Sequence, residues 1–187
     1  MRNHTATHLL HAALRKVLGP HVQQRGSEVA SDRLRFDFSH FSAVTPEELN
    51  AVEQMVNEQI WDNIPVDWFE TNLEDAKHKG AMALFTEKYG DQVRVVRIND
   101  VSLELCGGTH LEATGGIGCF RLQRESSVAA GERRIEAVTG TAAYQTMKQD
   151  IHTIQAVAAI LKSDPDDIVR RAEGLNNRIR ELEQDIR

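Results

Sequence analysis

Two short runs hold the residues best suited to chemistry. His4-Thr5-Ala6-Thr7-His8 sets two imidazoles four positions apart, which puts both on one helical face within reach of one metal ion. Far downstream, Cys106-Gly107-Gly108-Thr109-His110 offers a thiol and an imidazole around two glycines, whose backbone freedom would let a tight turn aim both at one point. Together the runs supply N, N, S and N donors, a set suited to Zn²⁺. His11 is a rival ligand, because His8 and His11 are also helix neighbours and periodicity does not choose between them. His21, His40, His78 and His152 read as ordinary hydrogen-bonded histidines. The residues between His4 and His8 are Thr, Ala and Thr, so the glutamate base of an H-E-x-x-H protease is missing. The spacing between the two runs also differs from that of small structural zinc fingers.

The elements that must position these groups follow from pattern. Residues 3–18 read as an amphipathic helix closed by Gly19-Pro20, with Leu10, Leu14 and Val17 toward a core and His4, His8, His11 and Arg15 on another stripe. Residues 33–38 alternate, with Leu34, Phe36 and Phe38 on one side and Arg33, Arg35 and Asp37 on the other. Thr45-Pro46-Glu47-Glu48 starts a helix with a capping box, and Leu49, Val52, Val56 and Ile60 form its buried face. Strands are predicted at 65–70, 93–98, 102–106, 118–124 and 133–138, with a short helix around 73–84. Interspersed elements and Gly-rich turns predict an α+β fold, mostly antiparallel sheet with packed helices. The first domain is placed at residues 1–140. Beyond it, at 141–187, Tyr144, Met147, Ile151, Ile154, Ala158 and Leu161, then Ile168, Ala172, Leu175, Ile179, Leu182 and Ile186, follow heptad-like spacing on either side of Ser163-Asp164-Pro165. That pattern predicts a C-terminal helical hairpin whose seams pack on each other or on a second chain. The last helix has no stop signal, and the chain reads as a piece of a longer protein.

Composition narrows the class. Hydrophobic residues at 41% and charged residues at 27% fit a globular chain and exclude a disordered one. No apolar run is long enough to cross a bilayer and no signal-peptide pattern opens the chain, so the expected location is the cytoplasm. Cys106 and Cys119 are too few for a disulfide framework. The net charge of −6 argues against nucleic acid, but its distribution does not: residues 41–75 hold nine acids and no base, whereas residues 1–40 hold six Lys/Arg against three acids.

The runs RNHTATHLLHAALRKVLG, RFDFSH, AMALFTEKYG, ELCGGTH and GERRIEAVTG resemble the editing domains of alanyl-tRNA synthetases over residues 1 to about 140. The resemblance implies an α+β fold shared with threonyl-tRNA synthetase editing domains and freestanding deacylases. It implies zinc held by His4, His8, Cys106 and His110, with His11 left aside. It also implies hydrolysis of the ester joining serine or glycine to tRNA(Ala), whose acceptor end would be the partner. Thr7 and Gln24 match family positions that contact the seryl group, and Cys106 is expected to serve the reaction as well as the metal. Their plainer readings are a Thr7 hydroxyl bonded back to its helix and a Gln24 exposed on a strand. The physical need is that a pocket shaped for alanine rejects glycine or an added hydroxyl only weakly, whereas a site that hydrogen-bonds the hydroxyl can discriminate by roughly 10⁴. Four protein ligands would close a tetrahedral zinc, and a catalytic zinc keeps one position open, so one ligand is expected to be loose. Arg2, Arg15, Arg25, Arg33 and Arg35 are candidate phosphate contacts. Competing readings are a freestanding aminoacyl-tRNA deacylase and a non-catalytic zinc-stabilised module that binds tRNA or self-associates through its C-terminal helices.

Overall fold

A computed structural model describes residues 1–82 and 91–186. It is α+β, with two antiparallel sheets, packed helices and two further helices at the C-terminus. The described chain divides into two compact units, Met1–Ala143 and Tyr144–Arg187.

In the first unit, α1 (Arg2–Leu18) is the central element. It packs on α2 (Pro46–Trp61) and touches strands of both sheets. Leu10 and Leu14 are fully buried, as their spacing requires, but so are Leu9, Ala6 and Ala13, and His8 and His11 are buried with them. A helix enclosed on nearly every side has no free polar stripe, so its histidines need partners inside the protein. The capping box of α2 forms as its sequence dictates: Thr45 Oγ1 accepts from the Glu48 amide, and Glu48 accepts from the Thr45 amide.

One sheet has the order β1 (Gln24–Val29), β2 (Leu34–Ser39), β7 (Glu132–Thr139), β6 (Phe120–Ala129). Leu34, Phe36, Phe38, Ile135 and Ala137 join the α1 and α2 side chains in the main core. Asp37, placed by alternation on the outer side, is nonetheless buried, because Arg134 across the strand grips it with two bonds of 2.7 and 2.8 Å. The second sheet runs β3 (Val66–Asn72), β4 (Gln92–Ile98), β5 (Ser102–Leu105). Between β3 and β4, α3 covers Leu73–His78, shorter than the predicted 73–84; residues 83–84, with most of the AMALFTEKYG run, lie outside the described residues.

In the second unit the chain continues from α4 (Gly140–Leu161) through a 3-10 turn at Pro165–Asp167 into α5 (Ile168–Asp185). The seams are covered beside the turn, where Ala158 is buried and Leu161, Ile168 and Ala172 are half-buried, but not farther out. Ile151, Ile154, Leu175, Ile179 and Leu182 are exposed, and α5 has no buried residue. Among the described residues, no helix is long and apolar enough to cross a membrane.

Candidate metal centre

The first turns of α1 and the segment following β5 meet over the core. His4, His8, Cys106 and His110 each present one ligand atom, and the four atoms lie within 4.8 Å of one another. Cys106 Sγ stands 3.3 Å from both His4 Nε2 and His110 Nε2. A tetrahedral zinc with ordinary Zn–N and Zn–S bonds would hold its ligands ~3.5 Å apart, so the cluster has the right size. His8 Nε2 is buried with no hydrogen-bond partner, a cost accepted only where something else will occupy the lone pair. The donor set and the orphaned nitrogen both fit a metal ion.

The groups behind the cluster aim it. Ser102 and Glu104 share one side of β5, and Cys106 follows the strand directly, while Leu103 and Leu105 pack into a second apolar cluster with Ala76, Ala81 and Val95. Glu104 is 2% exposed. Its Oε2 accepts from His8 Nδ1 at 2.7 Å, and its Oε1 accepts from His11 Nδ1 at 3.1 Å and from Ser102 Oγ at 3.0 Å. This carboxylate–histidine arrangement fixes the ring so that Nε2 is presented to a metal. Thr5 Oγ1 takes the Leu111 amide at 3.1 Å and lies 3.3 Å from His110 Nδ1. Arg94 donates to the carbonyls of Cys106 and Gly108, and its guanidinium stacks 4.7 Å from the Trp68 ring. Asn3 anchors the helix start, donating to Ala30 O at 2.8 Å and accepting from Thr139 at 2.6 Å.

The glycines serve a different purpose from the expected one. Neither Gly107 nor Gly108 has a positive φ. Instead, a Cβ on Gly108 would sit 1.9 Å from His4 Cε1, whereas one on Gly107 would meet nothing within 4 Å. Clearance for the His4 ring is what position 108 must provide.

Electrostatics makes the cluster a charged one without metal. Burial works to raise the Cys106 thiol, but hydrogen bonds from His110 and His4 overrule it and bring it down to about 3. Burial works against charge on His8, yet the Glu104 carboxylate and the Cys106 thiolate push it up to about 10. Glu104, despite burial, is held well below the usual carboxylate range by His8 and His11. Burial lowers His110.

The remaining expected site residues fall in varied places. Thr7 is buried, and its hydroxyl donates to Asn3 O at 2.8 Å, back along its own helix. Gln24 opens β1, half-buried, with Nε2 donating to Ser27 Oγ at 2.9 Å. The five candidate arginines all have partners within the protein: Arg2 bonds Gly116 O, Arg15 bonds the carbonyls of Pro20 and Val22, Arg25 faces Glu132, and Arg33 and Arg35 face Glu28. His21 and His40 bond each other at 2.9 Å near the surface. Glu104, Thr5 and Arg94 were not singled out from sequence. Period-2 alternation through Ser102-Leu103-Glu104-Leu105-Cys106 carried the signal for Glu104, since it puts the carboxylate on the ligand's side of the strand.

Residues 93–136, from β4 into β7 and including Cys106 and His110, match the family described as the threonyl and alanyl tRNA synthetase second additional domain. Beyond that segment, 99% of the chain is similar to alanine–tRNA ligases. The identity over 185 residues is 57% with the enzyme of Geobacillus kaustophilus, 56% with that of Geobacillus thermodenitrificans and 52% with that of Bacillus cereus. The chain is thus homologous to a region of alanine–tRNA ligases, and it spans about 21% of the length of these curated relatives.

Proposed function

We propose that the chain is an editing module of an alanine–tRNA ligase, hydrolysing the ester that joins serine or glycine to tRNA(Ala). The observation that carries this reading is the four-ligand cluster, half of it inside a segment that matches the second additional domain. Zinc is the ion that best suits three imidazoles and a thiolate, held by His4, His8, Cys106 and His110. When bound, it would supply Lewis-acid chemistry for ester hydrolysis.

The chain's own residues prepare that site. Glu104 accepts a hydrogen bond from His8 Nδ1 and so directs Nε2 inward. Arg94 ties down the carbonyls on either side of Gly107, which fixes the thiolate. Thr7 and Gln24 are proposed to meet the seryl group. The Thr7 hydroxyl is spent on Asn3, but its oxygen can still accept, and the Gln24 carbonyl can accept a hydroxyl while its amide holds Ser27. Serine would gain hydrogen bonds there that alanine cannot make.

The test is deacylation of Ser-tRNA(Ala), Gly-tRNA(Ala) and Ala-tRNA(Ala), with metal content measured on the same samples. Wild type is expected to carry one zinc and to release serine and glycine far faster than alanine, and Cys106→Ala to lose both zinc and activity. A zinc-loaded wild type no faster than buffer would sink the enzyme reading and leave a module whose four ligands close a structural site. We also propose self-association through the exposed seams of α4 and α5; a sedimentation coefficient independent of concentration would overturn it.

A further inference from the structure

His11 lies one turn beyond His8 and is 1% exposed, yet its Nε2 has no hydrogen-bond partner. Its other groups are committed: Nδ1 to Glu104 at 3.1 Å, and the ring against Phe36 with centroids 5.4 Å apart. The edge that remains carries Nε2, and His11 lines a cavity of about 380 Å³ together with Arg15, Gln23, Gln24 and Arg25. With Nδ1 paired to Glu104, Nε2 is the ring nitrogen left without a partner. The cavity therefore offers a buried ring nitrogen for one hydroxyl, two guanidinium groups for an anion, and two side-chain amides.

We propose that this cavity binds the hydroxyl-bearing end of a single-stranded RNA ester, with a ligand hydroxyl hydrogen-bonded to His11 Nε2 and a phosphate facing Arg25. The proposal rests on the editing reading for its ligand class. Two hydroxyls have the required chemistry: that of a seryl side chain and that of the terminal ribose. His11 is a binding residue in either case. It is not among the four residues whose ligand atoms cluster, and its Nδ1 is held by Glu104.

The experiment measures binding of two short single-stranded RNAs that carry serine or glycine through a non-hydrolysable amide at the 3′ end. His11→Asn keeps an N–H for Glu104 but loses the ring nitrogen on the cavity side, and zinc content reports whether the metal cluster survives. Loss of one neutral hydrogen bond corresponds to roughly threefold to tenfold in affinity. A loss of that size confined to the seryl probe identifies the side-chain hydroxyl; an equal loss for both probes identifies the ribose hydroxyl. Wild-type affinity for both in zinc-loaded His11→Asn overturns the proposal, as does a wild type that binds neither probe. If His11→Asn does not fold, Arg25→Gln decides: weaker binding of both probes supports the cavity, and unchanged binding removes it. A wild type that binds the probes but does not hydrolyse Ser-tRNA(Ala) would sink the editing reading and leave this site standing.

Discussion

Gly107 and Gly108 look alike in sequence but answer to different constraints. Gly108→Ala is expected to drive the His4 ring out of the cluster and to weaken metal binding by orders of magnitude, whereas Gly107→Ala should leave it within a factor of a few; competition against a chromophoric chelator measures both. Glu104→Gln should cost about 10- to 100-fold in metal affinity, because His8 loses the carboxylate that orients it. The ion cluster also sets how the metal-free protein responds to pH. His8 is raised from 6.5 to about 10, so its contribution to stability is complete below pH 6.5 and fades as pH rises toward 10. Cys106 is lowered from 9.0 to about 3, so its contribution is complete above pH 9 and fades as pH falls toward 3. Between 6.5 and 9 the two changes oppose each other, one proton against one. Thermal melts of chelator-treated protein should therefore show a plateau across that window and a decline on either side, and a steady slope through it would overturn the assignment. At this scale the ligands were legible because donor type and spacing are written in the sequence. Glu104, Arg94 and the clearance role of Gly108 were not, because each depends on what the fold lays beside it.

Among the elements, those with an apolar period were legible within a few residues. α1, α2, β2 and β7 all carry side chains that alternate or recur toward the main core. β1 has no such signal: Gln-Arg-Gly-Ser-Glu-Val is almost wholly polar, and it is held as an edge strand by its ladder with β2. Asp37 shows the same limit, since strand alternation does not reveal that Arg134 will arrive opposite it. The cap of α2 makes a direct test of local signals. Thr45→Ala removes both its capping bond and its link to Glu48, and should cost about 1 kcal/mol in denaturant unfolding with an unchanged m-value.

For the molecule as a whole, burial divides the chain into regions of unequal resistance to opening. α1 is enclosed by apolar neighbours, and α5 has no buried residue. Hydrogen exchange should be slowest in α1 and fastest among the helices in α5, and equal protection of the two would contradict the division. The heptad spacing of α4 and α5 was legible as helix, but not the exposure of their seams, because apolar periodicity records a face that can be covered without saying what covers it.

The placement of the ligands along the chain has one more consequence. His8 and Cys106 stand ~100 residues apart in sequence, so an ion shared between them acts as a reversible cross-link on the unfolded chain as well as a local clasp. Loop-closure entropy gives a covalent link of that span a value of roughly 4–5 kcal/mol. Any ion that remained on both halves during unfolding would restrict the denatured ensemble in the same way. Chelation would then do more than empty a site: it would release a cross-link that spans about half of the chain.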